Sequence, residues 1–186
     1  FLNKGVHMDD PSSVFFSADT KIARDVKIQP NVYFGVGVNV KNNVLIKSFT
    51  HLENTTVNKN VSLGPFSRIR DEVEIGPNAK IGNFVEIKKS VIKKNVKVSH
   101  LSYVGDATVG DQTNIGAGSI TCNFEGKKKN KTLIGSDCFI GSNTSLIAPL
   151  QIKKNSIIGA GTIVNKNIKE NSLIYRKSEL IRKEKK

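Results

Sequence analysis

The strongest constraint on this chain is a large aliphatic residue that returns every six positions. Ile22, Ile28, Phe34, Val40, Ile46 and Leu52 set the interval. A five-residue step leads to Val57, Leu63, Ile69, Ile75, Ile81 and Ile87. Further short steps lead to Ile92, Val98 and Val104, then to Val109 and Ile115. After an interruption the interval resumes at Ile134, Ile140, Leu146, Ile152, Ile158 and Val164. Four positions beyond most of these stands a small or β-branched residue, such as Val26, Val38, Val85 or Thr144. A period of six matches neither the 3.6 of a helix nor the 2 of an alternating strand. It matches a hexapeptide β-helix, in which each unit supplies one short strand and one turn and three units close a triangular coil. Roughly 24 units predict about eight stacked coils. The expected fold is therefore all-β, a left-handed parallel β-helix, its hand an exception to the right-handed crossover rule. Glycine after the apolar residue, as in Ile75-Gly76 and Ile140-Gly141, suits the corners.

The interval covers residues 19–168, which we expect to form one domain. Residues 1–18 lie outside it and Asp10-Pro11 ends whatever precedes it, because a residue before proline resists the helical region. Phe1 to Met8 is expected to be the end of a helical arm, and a chain opening on Phe1 is expected to be a piece of a longer protein. Residues 169–186 form a tail, with a turn at Lys169-Glu170-Asn171 and a short charged helix over 178–186. The interruption at about 121–133 carries Lys127-Lys128-Lys129 and Lys131 and must leave the prism as an exposed loop. Two readings of it stand side by side, a solvated loop and a basic arm reaching over a phosphate.

The net charge of +13 fits nucleic acid, a membrane surface or small phosphorylated ligands. Aromatic residues are only 6% and do not interleave with the basic ones, so a base-stacking platform is absent and nucleic acid is not the expected partner. No apolar run reaches the roughly 20 residues that span a bilayer. The first residues lack the basic start and apolar core of a signal peptide, so the cytoplasm is the expected compartment. Cys122 and Cys138 do not make a disulfide framework and are expected to be small buried fillers.

A prism of short strands has flat faces, so ligands are expected where prisms meet or where a loop folds over. Identical prisms side by side with threefold symmetry are the natural closed arrangement. One stretch gathers a carboxylate, a cation, an imidazole and a phenol within about one coil: Glu86, Lys88, His100 and Tyr103. His7 and His51 occupy outward, solvated positions. Correcting for the short step before Ile92, Asn83 stacks beneath His100 and Glu86 lies one corner away. The three histidines are too widely spaced for a zinc site, and no metal is expected.

Four blocks carry a resemblance: Gly64-Pro65-Phe66-Ser67-Arg68-Ile69-Arg70, Ile81-Gly82-Asn83-Phe84-Val85-Glu86-Ile87-Lys88, His100-Leu101-Ser102-Tyr103-Val104-Gly105-Asp106, and Asn114-Ile115-Gly116-Ala117 through Thr121-Cys122-Asn123-Phe124. In this order they resemble the acetyltransferase domain of the bacterial bifunctional N-acetylglucosamine-1-phosphate uridyltransferase/glucosamine-1-phosphate N-acetyltransferase. The resemblance implies a homotrimer with active sites between subunits. It implies transfer of acetyl from acetyl-CoA to the 2-amino group of glucosamine 1-phosphate, a step toward UDP-N-acetylglucosamine for peptidoglycan and lipopolysaccharide. It gives His100 as general base, and Arg70, Lys88 and Lys129 as phosphate ligands. Tyr103 and Asn114 would contact the sugar, and Glu86 would orient His100 or steady the ammonium. Asn123 and Phe124 would flank the amine and the acetyl group. Ala117, Ser142, Ala160 and Arg176 would contact acetyl-CoA. Phe124 stands where the family has tyrosine, which leaves it a packing or backbone role. No metal belongs to this step, since Mg²⁺ would serve the uridyltransferase domain, which this sequence does not contain. The alternatives are another hexapeptide O- or N-acyltransferase and a non-catalytic trimeric scaffold.

Overall fold

The structure, a computed structural model, describes residues 1–177. It is a parallel β-helix of 27 short strands in three sheets of 10, 9 and 8 strands. Each coil visits the first, second and third sheet in turn and then climbs to the next coil. At three strands per coil the 27 strands make about nine coils rather than the expected eight. The difference lies at the ends. His7–Met8 already pairs with Lys27–Ile28, and Phe15–Phe16 with Tyr33–Phe34. At the other end Leu173–Ile174 pairs with Ile157–Ile158.

The expected helical arm is therefore corrected to a single 3₁₀ turn over Leu2–Lys4, closed by Gly5 at φ 79°. The chain then enters the first sheet directly. The six-residue interval is missing over these residues, yet Val6 and Val14 are buried beneath the neighbouring coil. Edge coils need only one apolar contact face, so they satisfy the packing without the full repeat. The turn expected near Lys169 is present, whereas the charged helix expected over 178–186 lies outside the described residues.

The interior bears out the periodicity. Every residue of the six-residue series from Ile28 to Val164 is buried, and Ile22, in the first full coil, is partly so. The second series is equally buried, from Val26 and Val38 to Thr144 and Ser156. Strand geometry explains both: within a two- or three-residue strand one side chain points in and its neighbours point out. Stacking every 16 to 25 residues then lines up like with like, as in Ile28↔Ile46↔Leu63↔Ile81↔Val98↔Ile115↔Ile140↔Ile158. Burying each such side chain contributes about 1.5–3 kcal/mol.

The corners differ in chemistry. Where the third sheet turns into the first, Asn43, Asn60, Asn78, Asn95, Gln112, Asp137, Asn155 and Asn171 all adopt positive φ. Asparagine tolerates this region better than other non-glycine residues. Its amides also bond up the stack, Asn60 to Asn78 at 3.0 Å and Asn78 to Asn95 at 3.1 Å. Where the first sheet turns into the second, the positive-φ column is Phe49, Phe66, Phe84 and Leu101, followed by Gly118, Asn143 and Gly161.

Both cysteines are free. Cys138 is buried and Cys122 half-buried, and burial raises both thiols above their ordinary range. Among the described residues no helix is long and apolar enough to cross a membrane.

Candidate active site

The outward side chains of the second sheet form two ladders. Arg70, Lys88 and Gly105 are in register, and so are Arg68, Glu86 and Tyr103. The inward Ile69, Ile87 and Val104 fix both ladders by filling the core between them. Gly105 leaves room at the top of the first ladder. A Cβ there would collide with Tyr103 and lie 2.8 Å from Asn123 Nδ2. The absence of a side chain is what admits the Tyr103 ring and the loop beside it.

Arg70 and Lys88 converge on two carboxylates. Arg70 donates from Nε to Glu86 Oε1 at 2.8 Å, and its Nη2 lies 2.7 Å from the same oxygen. Arg70 Nη1 donates to Asp71 Oδ2 at 2.9 Å, and Lys88 Nζ stands 3.1 Å from that same Asp71 oxygen. Burial acts to lower the Arg70 pKa, but the hydrogen bond and charge of Glu86, aided by Asp71, raise it overall. Burial likewise acts to raise Asp71, yet Lys88 and Arg70 hold its carboxyl below the usual range.

The inserted loop supplies a third cation. Between Ile120–Cys122 and Thr132–Ile134 it folds as a small hairpin, with Phe124 bridging Lys129, Asn130 N donating to Asn123 O at 2.7 Å, and Gly126 at the tip. Lys128 pairs with Glu125 at 3.5 Å. Lys129 instead folds back beside Lys88. That contact, with the like charge of Lys88, pushes the Lys129 pKa down. Lys88 moves the other way, raised by its hydrogen bond to Asp71. Of the loop lysines it is thus Lys129 that the structure brings to the Arg70–Lys88 cluster. The hairpin is pinned by Asp106, whose Oδ2 accepts from Asn123 Nδ2 at 2.5 Å and whose backbone oxygen accepts from Thr132 N at 3.1 Å. Because a carboxylate only accepts, Asn123 must turn its amide nitrogen to Asp106, leaving Oδ1 free as an acceptor. Asn123 Nδ2 also lies 3.4 Å from Tyr103 Oη.

His100 sits on the neighbouring corner, exposed, at the end of the first-sheet strand Lys97–His100. Asn83 is its register partner one coil below, and Asn83 Oδ1 lies 2.5 Å from His100 Nδ1. An amide oxygen can only accept, so Nδ1 carries a proton, and in the neutral imidazole Nε2 is the nitrogen with the lone pair. Glu86 is engaged by Arg70, and the group hydrogen-bonded to the imidazole is Asn83. The 17-residue offset of Lys97↔Asn114 carried three positions on places Ala117 one coil above His100. The same construction from Asn114↔Phe139, Phe139↔Ile157 and Ile158↔Ile174 continues the column through Ser142, Ala160 and Arg176. The expected base and four of the expected donor contacts thus share one edge of the prism.

Two expected site residues, Phe124 and Asn114, lie apart from these groups, and one, Arg176, ends the column. Phe124 is 61% exposed on the outside of the hairpin, where a packing role within this chain is not seen. Asn114 faces outward from the first sheet, in register with Lys97 and Phe139. Arg176 stands exposed at the far end of the column. Two residues of the cluster were not anticipated, Asp71 and Asp106. Both occupy corners at positive φ, 59° and 49°. The step lengths held a signal for Asp71: the flanking coils pass this corner in five residues, Leu52 to Val57 and Ile87 to Ile92, whereas Ile69 to Ile75 takes six. Among the described residues no group of His, Cys, Asp and Glu is placed to hold a metal ion.

The repeat defines the class, a hexapeptide-repeat β-helix of the transferase type. The family described as bacterial transferase hexapeptide (six repeats) matches residues 131–166, and the GMPPB C-terminal domain family matches residues 52–125. The B. fragilis structure described as LpxA, a UDP-N-acetylglucosamine acyltransferase, shares the fold with a TM-score of 0.57 at 18% identity, covering 86% of this chain and 68% of that one. The UDP-N-acetylglucosamine acyltransferase of Francisella novicida gives 0.52 at 18% identity over 91% and 66%.

Within that class the chain is similar over most of its length to part of the proteins named Bifunctional protein GlmU. It is 48% identical to that of Wolbachia pipientis wMel over 98% of this chain and 43% of the relative. It is 51% identical to that of Zymomonas mobilis over 96% and 40%. The chain therefore spans about two fifths of the length of the relatives it matches.

Proposed function

We propose that this chain transfers an acetyl group from acetyl-CoA to the 2-amino group of glucosamine 1-phosphate, giving N-acetylglucosamine 1-phosphate for UDP-N-acetylglucosamine synthesis. The observation that carries this reading is the placement of Arg70, Lys88 and Lys129 together, one corner away from His100. Three cations together suit a phosphate dianion, and Arg70 Nη1 can supply a charge-assisted donor to it. Kinship with the bifunctional GlmU proteins supports the same substrates.

In this reading the sugar phosphate lies on the second sheet with its phosphate at Arg70, Lys88 and Lys129 and its ring beside Tyr103. Asn123 Oδ1, the free acceptor, holds an N–H of the substrate nitrogen. His100 Nε2 accepts the proton that the amine loses as it attacks the thioester carbon. The C–S bond then breaks, and CoA leaves as its thiolate, which is protonated in turn. A backbone N–H at the corner serves the oxyanion. No acyl-enzyme is required, since the thioester is already activated, and no metal is required by the step.

The edge from His100 through Ala117, Ser142 and Ala160 to Arg176 spans four coil steps, about 19 Å at one strand spacing each. Small side chains over most of that length suit an extended donor, and Arg176 suits its phosphates. Phe49, Phe66, Phe84 and Leu101 flank the same edge below and are 52%, 46%, 55% and 61% exposed. Stacked aromatic rings 4.7 and 5.1 Å apart at a corner support coverage by another copy of the chain. We take the assembly to be a homotrimer, which would bring outward residues such as Asn114 of one copy toward the site of the next.

The test is acetyl-CoA consumption with glucosamine 1-phosphate beside glucosamine and simple galactosides as acceptors. Strong preference for the sugar phosphate is expected, and absence of turnover with it sinks the reading. Light scattering reports the assembly, for which a trimer is expected.

A further inference from the structure

Asp71 is a carboxylate placed where an anionic substrate is expected. One of its oxygens, Oδ2, takes both Arg70 Nη1 at 2.9 Å and Lys88 Nζ at 3.1 Å. Those are two of the three cations to which the reading above gives the phosphate. The chain builds this contact deliberately: the corner spends one more residue here than in the coils on either side, and both Asp71 and Glu72 hold positive φ, 59° and 63°. Side chains of Asp71, Arg70 and Lys88 are 34%, 21% and 15% exposed, so the bridge is shielded rather than loose on the surface. Its neighbour Glu72 makes no ion pair among the described residues and lines the groove on the far side of the corner with Lys89 and Lys131.

We propose that Asp71 is the resident counter-anion of the phosphate site, a carboxylate that the substrate phosphate displaces from Lys88 and Arg70 on binding. The proposal rests on the reading that these cations hold phosphate. Its physical content is competition. An oxygen on Asp71 and an oxygen of the incoming phosphate require the same donor hydrogens, and a dianion supplies more charge and more acceptor oxygens than one carboxylate. Singly charged anions gain too little to replace it, so Asp71 sets a threshold that favours the phosphorylated sugar. Glu86 keeps Arg70 Nε and Nη2 occupied throughout, so the guanidinium stays oriented while Nη1 is exchanged.

The test compares wild type, Asp71→Asn and Glu72→Gln. Asparagine suits positive φ, so the corner is retained, and Asp71→Gly is the second variant should the first fail to fold. Isothermal titration with inorganic phosphate and with glucosamine 1-phosphate gives the dissociation constants. Steady-state acetyl transfer gives KM and kcat. Asp71→Asn is expected to tighten both ligands and lower KM about three- to fivefold, the scale of a partly exposed ion pair, with kcat unchanged. Glu72→Gln, which removes the same charge without touching the bridge, is expected to leave these constants where they were. Weaker or unaltered phosphate binding in Asp71→Asn overturns the proposal and makes Asp71 a scaffold for the cations. Equal tightening in both variants also overturns it, because a general field would then suffice. Lys88→Met separates the two levels: if it leaves phosphate affinity intact, the phosphate reading itself falls. Should wild type bind phosphate at Lys88 yet transfer no acetyl, the titrations still decide the role of Asp71.

Discussion

Two corners of the same prism solve one backbone problem with opposite chemistry. Both must place a residue at positive φ in coil after coil. The corner between the third and first sheets uses asparagine, and its amides bond to one another from Asn60 through Asn95. The corner between the first and second sheets uses Phe49, Phe66, Phe84 and Leu101, bulky residues for which the left-handed region costs of order 1–2 kcal/mol each. Above His100 the same corner changes again, to Gly118, Asn143 and Gly161. A fold optimised for its own stability would repeat the asparagine corner everywhere. Strain carried at one edge, beside the imidazole, points to function at that edge. The aromatic half offers a surface for a second chain, and the small-residue half leaves open the edge assigned to the acyl donor.

The largest effect expected at the strained edge is on chemistry. His100→Ala should lower acetyl transfer by about 10²–10⁴-fold with an unchanged melting temperature. A continuous coupled assay of CoA release measures it, and near-normal turnover would move the base elsewhere. Next comes assembly. The double variant Phe66→Asp, Phe84→Asp places residues more at ease at positive φ into the aromatic column while making it hydrophilic. It should run as a monomer in light scattering with its circular dichroism intact. A variant that still assembles like wild type would show that this edge is not the seam.

A smaller, pH-dependent effect belongs to the third corner, where the lysine hairpin folds over. Lys129 is held below the ordinary lysine range by Lys88, and the opposite charge of a bound phosphate is expected to raise it again. Phosphate affinity is then complete below the free-protein pKa of Lys129 and is lost as pH rises through it, at lower pH than an ordinary lysine would give. Lys129→Met should raise KM for glucosamine 1-phosphate about tenfold and remove that part of the alkaline decline. A KM-versus-pH profile identical in shape to wild type would exclude it. The smallest effect belongs to the asparagine corner. Asn78→Ala should cost about 1–2 kcal/mol in chemical denaturation, because alanine resists positive φ, and should leave kcat/KM untouched. A loss of activity there without unfolding would erase the distinction between the two corners.

Much of the fold was legible in the chain because a six-residue period admits few packings. Ile28 through Val164 fell inside as the spacing required. The first coil escaped notice because Val6 and Val14 contact the core at irregular spacing. Within the candidate site, the stacking of Asn83 beneath His100 followed from counting through the short step. The engagement of Glu86 by Arg70 did not, because Arg68, Arg70 and Lys88 were all within reach of it by register alone. The choice of Lys129 among the loop lysines depended on the hairpin, whose bridge between Phe124 and Lys129 leaves no periodic trace.

The sequence by itself determined the repeat, the inward residues and, through the register, which outward residues share a ladder. Those follow from local geometry, since a strand alternates its faces and a coil of fixed length stacks like on like. Only the tertiary structure decided what the polar atoms do with their neighbours. Asp71 reaches Lys88, Asp106 turns the Asn123 amide and Lys129 folds onto Lys88, each across a corner or a loop. Such contacts depend on ångström-scale distances between side chains whose partners are coils or loops apart, and periodicity carries no term for them.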